Sequence, residues 1–227
     1  MPLERILIIF VKYPEPGCVK TRLAQSIGKD KAAFLYRTFV ELLLKKTSDM
    51  SSERFIFYTP ADKREKLSSW LGGRSKLFPQ RGDNLGQRMS NAFRFAFAKG
   101  AREIVIVGTD IPLLDKEVVL TAFKKLENRQ CVIGPSLDGG YYLLGLSHFE
   151  GKIFQNINWG TDKVLNQTLG AVKRLGLTYS LLEERFDVDD VEDLVRLKLS
   201  LRRYRKAGSP ELDFLSGRLD ELSLNTH

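Results

Sequence analysis

Short apolar runs alternate along the chain with longer stretches in which apolar residues recur every three or four positions. The runs are rich in Ile, Val, Leu and Phe, which is typical of strands buried on both faces of a sheet. The longer stretches have the periodicity of crossover helices that link such strands. The pattern therefore predicts an α/β protein, in which a ligand crevice lies beyond the carboxyl ends of the strands.

The predicted elements cover most of the chain. Strands are predicted at residues 5–11, 54–59, 103–108, 131–134, 141–146 and 178–182, with a weaker one at 76–79. Helices are predicted at residues 29–46, 61–70, 85–99, 116–126, 162–175 and 191–206, with a short amphipathic helix near 210–222. No repeat or flexible linker separates these elements. We therefore expect one domain over residues 1–206 and a C-terminal helical tail, 207–227, that packs back on it.

The composition is that of an ordinary folded protein, with 43% hydrophobic and 28% charged residues. Its 36 Lys and Arg against 28 Asp and Glu give a net charge of +8, which suits a polyanionic partner such as a nucleotide, a phosphorylated substrate, nucleic acid or anionic lipid. No apolar run is long enough to span a bilayer, and Cys18 and Cys131 fit neither a disulfide framework nor a metal spacing. We expect a cytoplasmic protein with reduced thiols and no membrane partner.

The loop after the first predicted strand carries three cationic side chains. Lys12, Lys20 and Arg22 could converge on one anion, and Gly17 would let the backbone approach a ligand closely. A helix is expected to begin near Thr21, and its amino end also favours anions. The loop has no Walker spacing, and the chain has no dinucleotide fingerprint. We expect a phosphate-binding loop, and the alternative is a solvated surface loop with ordinary charges.

An aspartate follows the most β-branched run of the chain. Residues 104–107 mark a central strand, so Asp110 is expected to emerge in the middle of the crevice. There it could bind Mg²⁺, which prefers one or two protein carboxylates together with waters and substrate phosphates. The alternative is a turn aspartate that bonds the local backbone. Asp115 is the better candidate for capping the following helix.

Two further aspartates follow the last predicted strand. If this segment is extended, Asp187 and Asp189 point to the same side and Val188 to the other. Paired carboxylates of this kind repel each other unless a cation lies between them. The competing interpretation is a capping box, in which Asp189 and Glu192 open the next helix. It explains Asp189 well and Asp187 poorly.

Three turns supply further candidates for nucleotide or substrate binding. In the first, an aspartate and the bare backbone of two glycines could meet a ligand, or they could be hairpin chemistry alone. In the second, a tryptophan could stack on a ligand or pack in the core, and a threonine could cap a helix. In the third, an arginine could reach a nucleotide or lie on the surface. The candidates are Gly82, Arg88, Asp138, Gly139, Gly140, Trp159 and Thr161.

Six stretches together resemble the radical-SAM/selenodomain-associated transferase 1 family, a branch of the GT-A nucleotide-diphospho-sugar transferase superfamily. They are residues 12–23, 82–89, 108–114, 134–144, 159–161 and 187–194. More distantly, the chain is similar to 2-phospho-L-lactate guanylyltransferase and molybdenum cofactor guanylyltransferase. The resemblance implies a three-layer α/β/α sandwich with a mixed, mostly parallel central sheet. It also places Lys20 and Arg22 in a phosphate-binding loop, and Asp110, Asp187 and Asp189 where related enzymes hold catalytic Mg²⁺.

These observations predict a Mg²⁺-dependent nucleotidyltransferase, in which Mn²⁺ could replace Mg²⁺. It would move a nucleoside monophosphate from a nucleoside triphosphate to a phosphorylated small-molecule acceptor and release pyrophosphate, with Lys20, Arg22 and Asp110 as catalytic residues. The two histidines, His148 and His227, stand apart, which disfavours a histidine triad or a zinc site but leaves such phosphoryl chemistry open.

Three alternatives remain from the sequence. The first is a GT-A glycosyltransferase that uses a nucleotide sugar, although the chain has Thr109-Asp110-Ile111 where such enzymes usually carry D-x-D. The second is an inactive nucleotide sensor. The third is a nucleic-acid-binding protein, which is the least favoured because most basic runs on helices are solvated faces. Its basic residues would be Arg196, Lys198, Arg202, Arg203, Arg205 and Lys206.

Overall fold

The computed structural model describes residues 4–72, 75–204 and 210–222, with the side chains of residues 203 and 204 excepted. Its strands are β1 (Arg5–Lys12), β2 (Glu53–Thr59), β3 (Lys76–Pro79), β4 (Glu103–Val107), β5 (Cys131–Pro135), β6 (Tyr141–Leu146) and β7 (Tyr179–Leu181). Its helices are α1 (Thr21–Ile27), α2 (Lys29–Lys46), α3 (Arg64–Leu71), α4 (Leu85–Ala98), α5 (Lys116–Leu126), α6 (Val164–Arg174), α7 (Val191–Tyr204) and α8 (Pro210–Glu221), with 3₁₀ turns at Ala61–Lys63 and Gly151–Phe154.

The seven strands form one sheet in the order β3-β2-β1-β4-β6-β5-β7. Neighbouring strands are parallel except for β6, which runs antiparallel to both β4 and β5. The tight turn between β5 and β6 makes them a hairpin, whereas the parallel neighbours β1 and β2 are joined through helices. The predicted mixed, mostly parallel sheet between two helical layers is confirmed.

Side chains of the central strands alternate between two cores. Leu7, Ile9 and Val11 of β1 pack on one face of the sheet with α2, α3 and α5. Ile6 and Ile8 pack on the other face with α4 and α6. This two-residue alternation explains why the run had no polar positions, since helices cover both faces. The cores hold β1 and β4 rigidly, and the loops that follow these two strands carry the candidate site.

A third apolar cluster joins the C-terminal helices to the domain. Leu194 and Leu197 of α7 and Leu215 of α8 are buried against α2, together with Leu23 of α1. Residues 205–209 and 223–227 lie outside the described part of the chain, so the exact extent of the predicted tail stays a prediction. Within the described ranges, no helix has both the length and the apolar character needed to cross a membrane.

Two predicted helices begin differently from their sequence pattern. The helix expected at residues 61–70 starts as a 3₁₀ turn and becomes α-helical only at Arg64. The helix expected from residue 162 begins at Val164, because Thr161 and Asp162 belong to the preceding turn. Thr161 does not cap it at the predicted position. Its hydroxyl accepts a hydrogen bond from the Lys163 N–H at 3.3 Å and donates to the Asn158 carbonyl at 2.8 Å.

Candidate active site

The strands β1 and β4 separate at their carboxyl ends. They pair in register as far as Ile9 and Val107, after which β1 continues alongside β2 alone and the Gly108 N–H bonds to Tyr142 of β6. β2 lies on one side of β1 and β4 on the other, so the strand order reverses between β1 and β4. Sheets of this type bind ligands at such a point. A cavity of about 660 Å³ opens there.

Lys20 is the central cation of the site. Its side chain is only 3% exposed and forms ion pairs with Asp110 and with Asp189, the second at 2.8 Å. Burial opposes the charge of this ammonium group, but the two carboxylates outweigh the burial, and the pKa of Lys20 is raised. The backbone of Lys20 is left-handed, with φ of 46°, immediately before α1. The structure thus brings together residues 20, 110 and 189, which are far apart in sequence.

Residues 187–189 run alongside the loop after β4. The Val188 N–H donates to the Asp110 carbonyl at 2.9 Å, and the Val188 side chain is fully buried. Asp187 and Asp189 flank this contact and both line the cavity, as the extended alternation predicts. The carboxyl groups of residues 110 and 187 therefore lie on the same edge of the sheet.

Asp187 has an environment unlike that of Asp189. It does not pair with Lys20; it lies near the charges of Asp138 and Asp189 instead. Burial, and after it the charges of these two carboxylates, raises the pKa of Asp187 from 3.8 to about 6. Asp138 accepts hydrogen bonds from the Ser136 hydroxyl and from the Gly140 N–H, so the hairpin fixes its position. Within the described residues, neither Asp138 nor Asp187 forms an ion pair.

The helix cap lies one residue beyond the predicted capping box. Asp190 accepts from the backbone N–H groups of Glu192 and Asp193, and Asp193 accepts in turn from the Asp189 and Asp190 N–H groups. The competing interpretation, a capping box of Asp189 and Glu192, is therefore wrong. The shift by one residue leaves the Asp189 side chain free to bind Lys20 instead of the helix.

Arg22 also binds this helix start. Its guanidinium pairs with the Asp190 carboxylate at 2.6 Å and lines the cavity, with most of the side chain exposed. Lys12 lines the cavity as well, and within the described residues its ammonium has no ion pair. Of the three loop cations, two are thus held by carboxylates and one faces the cavity without such a partner.

Asp115 does not use its side chain as a cap. It occupies the N-cap position of α5, but its carboxylate forms no capping hydrogen bond and pairs with Lys46 at 2.8 Å. Asp110 in turn has a structural partner in Lys20, which the sequence did not reveal. Asp110 lies in the crevice as expected.

The hairpin glycines have different surroundings. Gly139 has φ of 84°, and a Cβ there would lie 2.2 Å from the Asp162 carbonyl oxygen, so its backbone approaches the chain itself. Gly140 lines the cavity, and a Cβ there would meet Asp138 and Ser136 at 3.1 and 3.3 Å. Hairpin chemistry accounts for Gly139, while Gly140 and Asp138 also face the cavity.

Trp159 forms an aromatic wall of the cavity. Its ring lies against Gly86 of α4, where a Cβ would be only 2.3 Å from the indole, and it meets Tyr141 edge-on at 6.5 Å. Gly86 is thus the residue that lets the indole pack against the helix. Trp159 and Thr161 both line the cavity, so Trp159 packs on one side and faces the cavity on the other.

Three candidate residues lie away from the cavity lining. Gly82 has φ of 132°, and its carbonyl accepts from the Arg88 guanidinium at 2.9 Å, so the two residues close a local turn. Leu85 and Met89 are the residues of α4 that line the cavity. Gly17 has φ of 80° and packs near Lys29, which gives it a conformational role in the loop.

Tyr36 is a site residue that the sequence did not suggest. It lies on the apolar face of α2 and is buried, yet the residue lines the cavity, and its hydroxyl is hydrogen-bonded to residues at the ends of β1 and β4. Gln80 and Thr59 line the cavity from the ends of β3 and β2. A tyrosine in a buried helical stripe is indistinguishable by pattern from a packing residue, so no sequence signal could have singled it out.

The donor groups of the site fit a divalent cation in part. Within the described residues, no three Asp, Glu, His or Cys side chains are arranged to hold a metal ion. The ammonium of Lys20 nevertheless shows that the space between Asp110 and Asp189 accepts a cation. Two carboxylates are a sufficient protein contribution for Mg²⁺, since phosphates and waters supply its other ligands.

The basic residues of α7 lie on its outer side. Leu194, Leu197 and Leu201 are buried, whereas Arg196 and Arg202 are exposed. The Arg196 guanidinium stacks over Phe186 at 5.3 Å. The two arginines lie on a solvated helix face, and Lys198 is half-buried. The side chain of Arg203 is not described, and Arg205 and Lys206 lie outside the described residues.

Comparison with known proteins finds a family and several related structures. Residues 43–161 match the family described as uncharacterized proteins conserved in bacteria (DUF2064). A protein from Desulfovibrio desulfuricans G20, described provisionally as a nucleotide-diphospho-sugar transferase, is 38% identical, with 96% of each chain covered and a TM-score of 0.89. No curated protein matches the chain by sequence.

More distant structures share the fold. CMP:2-keto-3-deoxy-manno-octonic acid synthetase complexed with CTP is 9% identical, with 88% of this chain and 99% of that chain covered and a TM-score of 0.54. A nucleotidyl transferase from Methanothermobacter thermautotroptrophicus is 12% identical, with 88% and 98% covered and a TM-score of 0.56. Their similarity supports the three-layer architecture and its mixed sheet.

Proposed function

The chain belongs to the DUF2064 family, and from this premise we propose that it is a metal-dependent transferase that acts on a nucleotide donor. The reaction that we propose moves a nucleoside monophosphate from a nucleoside triphosphate to a phosphorylated small-molecule acceptor. Membership of the transferase 1 family named above stays a prediction that rests on the six stretches. The proposal draws on the 38% identical relative and on the chemistry of the cavity.

One observation carries the proposal. Lys12 and Arg22 meet the carboxylates that follow β4 and β7 in a single cavity where the strand order reverses. Lys20 binds Asp110 and Asp189 from an adjoining pocket. Cationic side chains there suit the oxygens of a phosphate chain, and the carboxylates suit a cation that accompanies those phosphates. The apolar and aromatic part of the cavity, formed by Leu85, Met89 and Trp159, offers space to an uncharged part of the substrate.

The first loop binds and orients the phosphates. Lys12 is already free of ion pairs within the described residues, and Arg22 is exposed enough to turn from Asp190 toward a ligand. Lys20 contributes a point charge in a smaller pocket that adjoins the cavity, and its release from Asp110 or Asp189 frees a carboxylate oxygen. Together these groups neutralise the negative charge of the donor.

Asp110 and Asp189 are the residues that would hold Mg²⁺ or Mn²⁺, with Asp187 beside them. A divalent ion in this position supplies charge neutralisation for the phosphate oxygens that react. The buried Val188, bonded to the Asp110 carbonyl, keeps the two carboxylate segments together. This arrangement positions the carboxylates before any ligand arrives.

The acceptor needs little help to lose a proton. A phosphate monoester is largely ionised at neutral pH, and its oxygen attacks the α-phosphorus while the bond from that phosphorus to the bridging oxygen breaks. The electron pair of the broken bond leaves with pyrophosphate. No histidine lines the cavity among the described residues, which is compatible with a reaction driven by positioning and charge.

The reverse reaction provides the direct test. The purified full chain is first screened by thermal shift against nucleoside triphosphates and nucleotide sugars with Mg²⁺, since a bound ligand stabilises the folded state. Each stabilising nucleotide sugar is then incubated with labelled pyrophosphate. Formation of labelled nucleoside triphosphate supports nucleotidyl transfer, and Asp110→Ala should abolish it while Asp115→Ala should not. Binding of no nucleotide or nucleotide sugar would overturn the proposal.

Glycosyl transfer is a second candidate, because the 38% identical relative carries that kind of description. Trp159 and Tyr141 beside Asp138 also form the aromatic and acidic surroundings in which a sugar ring can bind. A glycosyltransferase would release a nucleoside diphosphate from the nucleotide sugar and would form no triphosphate from pyrophosphate. The same product analysis therefore separates the two candidates.

A further inference from the structure

The hydroxyl of Tyr36 connects the two strands that border the crevice. It accepts a hydrogen bond from the Lys12 backbone N–H at 2.8 Å and another from the Thr109 hydroxyl at 3.1 Å. Lys12 ends β1, and Thr109 lies just beyond β4, where these two strands no longer pair with each other. The Tyr36 oxygen therefore lies in the gap at which the strand order reverses.

Two cavities share Tyr36 as a lining residue. Tyr36 lines the main cavity and also a smaller pocket of about 300 Å³ under the first loop. The smaller pocket is formed by the loop cations Lys20 and Arg22 together with Asp110 and Asp189. A phosphate chain that passes from the main cavity toward the loop cations would cross the position of the Tyr36 hydroxyl.

The hydrogen-bonding capacity of the phenol leaves one group available. Its oxygen already accepts from two donors, so what remains is its own proton. Within the described residues, no hydrogen bond takes that proton to an acceptor of the protein. Burial, and after it the charge of Asp110, raises the pKa of Tyr36 to about 12, so that the hydroxyl keeps its proton at neutral pH.

We propose that Tyr36 is a substrate-positioning residue whose hydroxyl donates a hydrogen bond to a phosphate oxygen of the donor nucleotide. The inference rests on the proposed function, because it takes the cavity to be a nucleotide site. It gives this buried tyrosine a role beyond packing: the phenol fixes the phosphate chain relative to the ends of β1 and β4. The other role, in which the hydroxyl only ties the two strands together, is what the experiment must separate from it.

The first test compares three variants for binding of Mg²⁺-tripolyphosphate and of Mg²⁺ nucleoside triphosphates by titration calorimetry. Tyr36→Phe should weaken binding about tenfold or more, since hydrogen bonds to charged groups are the stronger ones. Tyr58→Phe is the matched control, because Tyr58 is equally buried in the same core but lines neither cavity. Thr109→Val removes a strand-tying donor and leaves the outward proton, so it should lower the melting temperature with little change in affinity.

A second test does not depend on removing the hydroxyl. Site-specific replacement of Tyr36 by 3-fluorotyrosine makes the phenol a stronger donor and a weaker acceptor. If the hydroxyl donates to phosphate, binding of tripolyphosphate tightens severalfold. If it only accepts from Lys12 and Thr109, affinity stays the same or falls, and the proposal is overturned.

The outcomes distinguish this inference from the proposed function. Should the wild-type chain bind tripolyphosphate and a triphosphate, and should Tyr36→Phe bind them equally well, the role of Tyr36 fails while the nucleotide site stands. Should the wild-type chain bind none of these ligands, the proposed function fails and this inference fails with it. Weakened binding in Tyr36→Phe with unchanged Tyr58→Phe supports both.

Discussion

The cavity contains two pairs of aspartates that differ in their counter-charge. Asp110 and Asp189 converge on the buried ammonium of Lys20. Asp138 and Asp187 lie near each other on the hairpin side, and there the pKa of Asp187 is raised to about 6 by burial and by its carboxylate neighbours. The first pair shares one ammonium group, whereas neither member of the second pair forms an ion pair within the described residues.

This difference indicates how the site is divided. On the loop side, Lys20 occupies the space between Asp110 and Asp189, and in the proposed function it would turn toward the phosphates of the donor. The hairpin side has excess negative charge and keeps it because Ser136 and Gly140 hold Asp138 in place. Sites often accept such unfavourable electrostatics when the ligand relieves them.

The largest expected effect comes from removing one carboxylate of the pair that binds Lys20. Asp110→Ala should lower turnover roughly 100- to 1,000-fold, because losing one electrostatic partner of the reacting phosphates costs about 3 to 4 kcal/mol of barrier. Turnover is measured as pyrophosphate or nucleoside diphosphate released. Asp115→Ala, whose carboxylate binds Lys46 away from the cavity, is the control and should retain activity. Wild-type turnover in Asp110→Ala would remove Asp110 from the mechanism.

The ammonium of Lys20 should compete with a metal ion for Asp110 and Asp189. Lys20→Met is expected to bind Mn²⁺ at least about tenfold more tightly than the wild type in the absence of nucleotide, because the two carboxylates lose their ammonium partner. Titration of Mn²⁺ followed by electron paramagnetic resonance measures this affinity. Lys12→Met removes a charge of the same cavity that pairs with no carboxylate among the described residues, so it should change the affinity less. Equal affinities in all three proteins would contradict the assignment of Asp110 and Asp189 as the cation site.

The charge of Asp187, beside Asp138, should limit stability at neutral and alkaline pH. The pKa of Asp187 is raised from 3.8 to about 6, so the folded state binds the proton more tightly than the unfolded state does. The resulting cost is absent below about pH 4, grows between pH 4 and 6, and is full above pH 6. Asp187→Asn removes it, and since the group is partly exposed we expect about 1 kcal/mol, or roughly 2–4 °C in Tm at pH 8.

That gain should vanish at pH 3.5, where the aspartate is protonated in both states. Thermal unfolding of the wild type and the variant at the two pH values measures the difference. Asp162→Asn, at an exposed carboxylate of the same cavity, is the matched control and should show no such pH dependence. A gain in Tm that is equal at both pH values would show that the charge of Asp187 is not its cause.

The smallest expected effect concerns the rates at which a thiol reagent modifies the two cysteines. Cys18 is exposed in the loop beside Lys20, whereas Cys131 is buried in β5 and burial raises its pKa to about 12. A thiol reagent should modify Cys18 first and leave Cys131 until the chain unfolds. A bound nucleoside triphosphate should slow the modification of Cys18 a few-fold. If the ligand leaves this rate unchanged, it does not occupy the loop side.

The sheet could be predicted from the sequence because it is buried on both faces. The run that forms β6 was predicted with its observed bounds, and α2 likewise at residues 29–46. Continuous apolar strands and a long amphipathic helix leave little room for other arrangements. Helix starts were less predictable, since one residue decides whether Asp189 or Asp190 caps α7.

The candidate site could be predicted as a location but not as a set of contacts. Strand ends placed Asp110 and Asp187 at one edge, which needs only the parallel topology. The pairing of Lys20 with Asp189 joins residues 169 positions apart, and no local pattern encodes it. Tyr36 could not be predicted for the same reason. Its ring fits the pattern of buried residues on α2, and only the contacts of its hydroxyl distinguish it.

The backbone conformation of Lys20 is unfavourable for folding, although its side chain serves the site. With φ of 46°, this residue occupies a region that glycine adopts without penalty and that a lysine enters at a cost of about 1 kcal/mol or more. Glycine at position 20 would relieve this backbone cost but would leave Asp110 and Asp189 without the ammonium group that they share. The strained backbone is therefore tolerated because the side chain that it carries is needed between the two carboxylates. Selection for heat resistance at this position has to weigh the backbone against the charge.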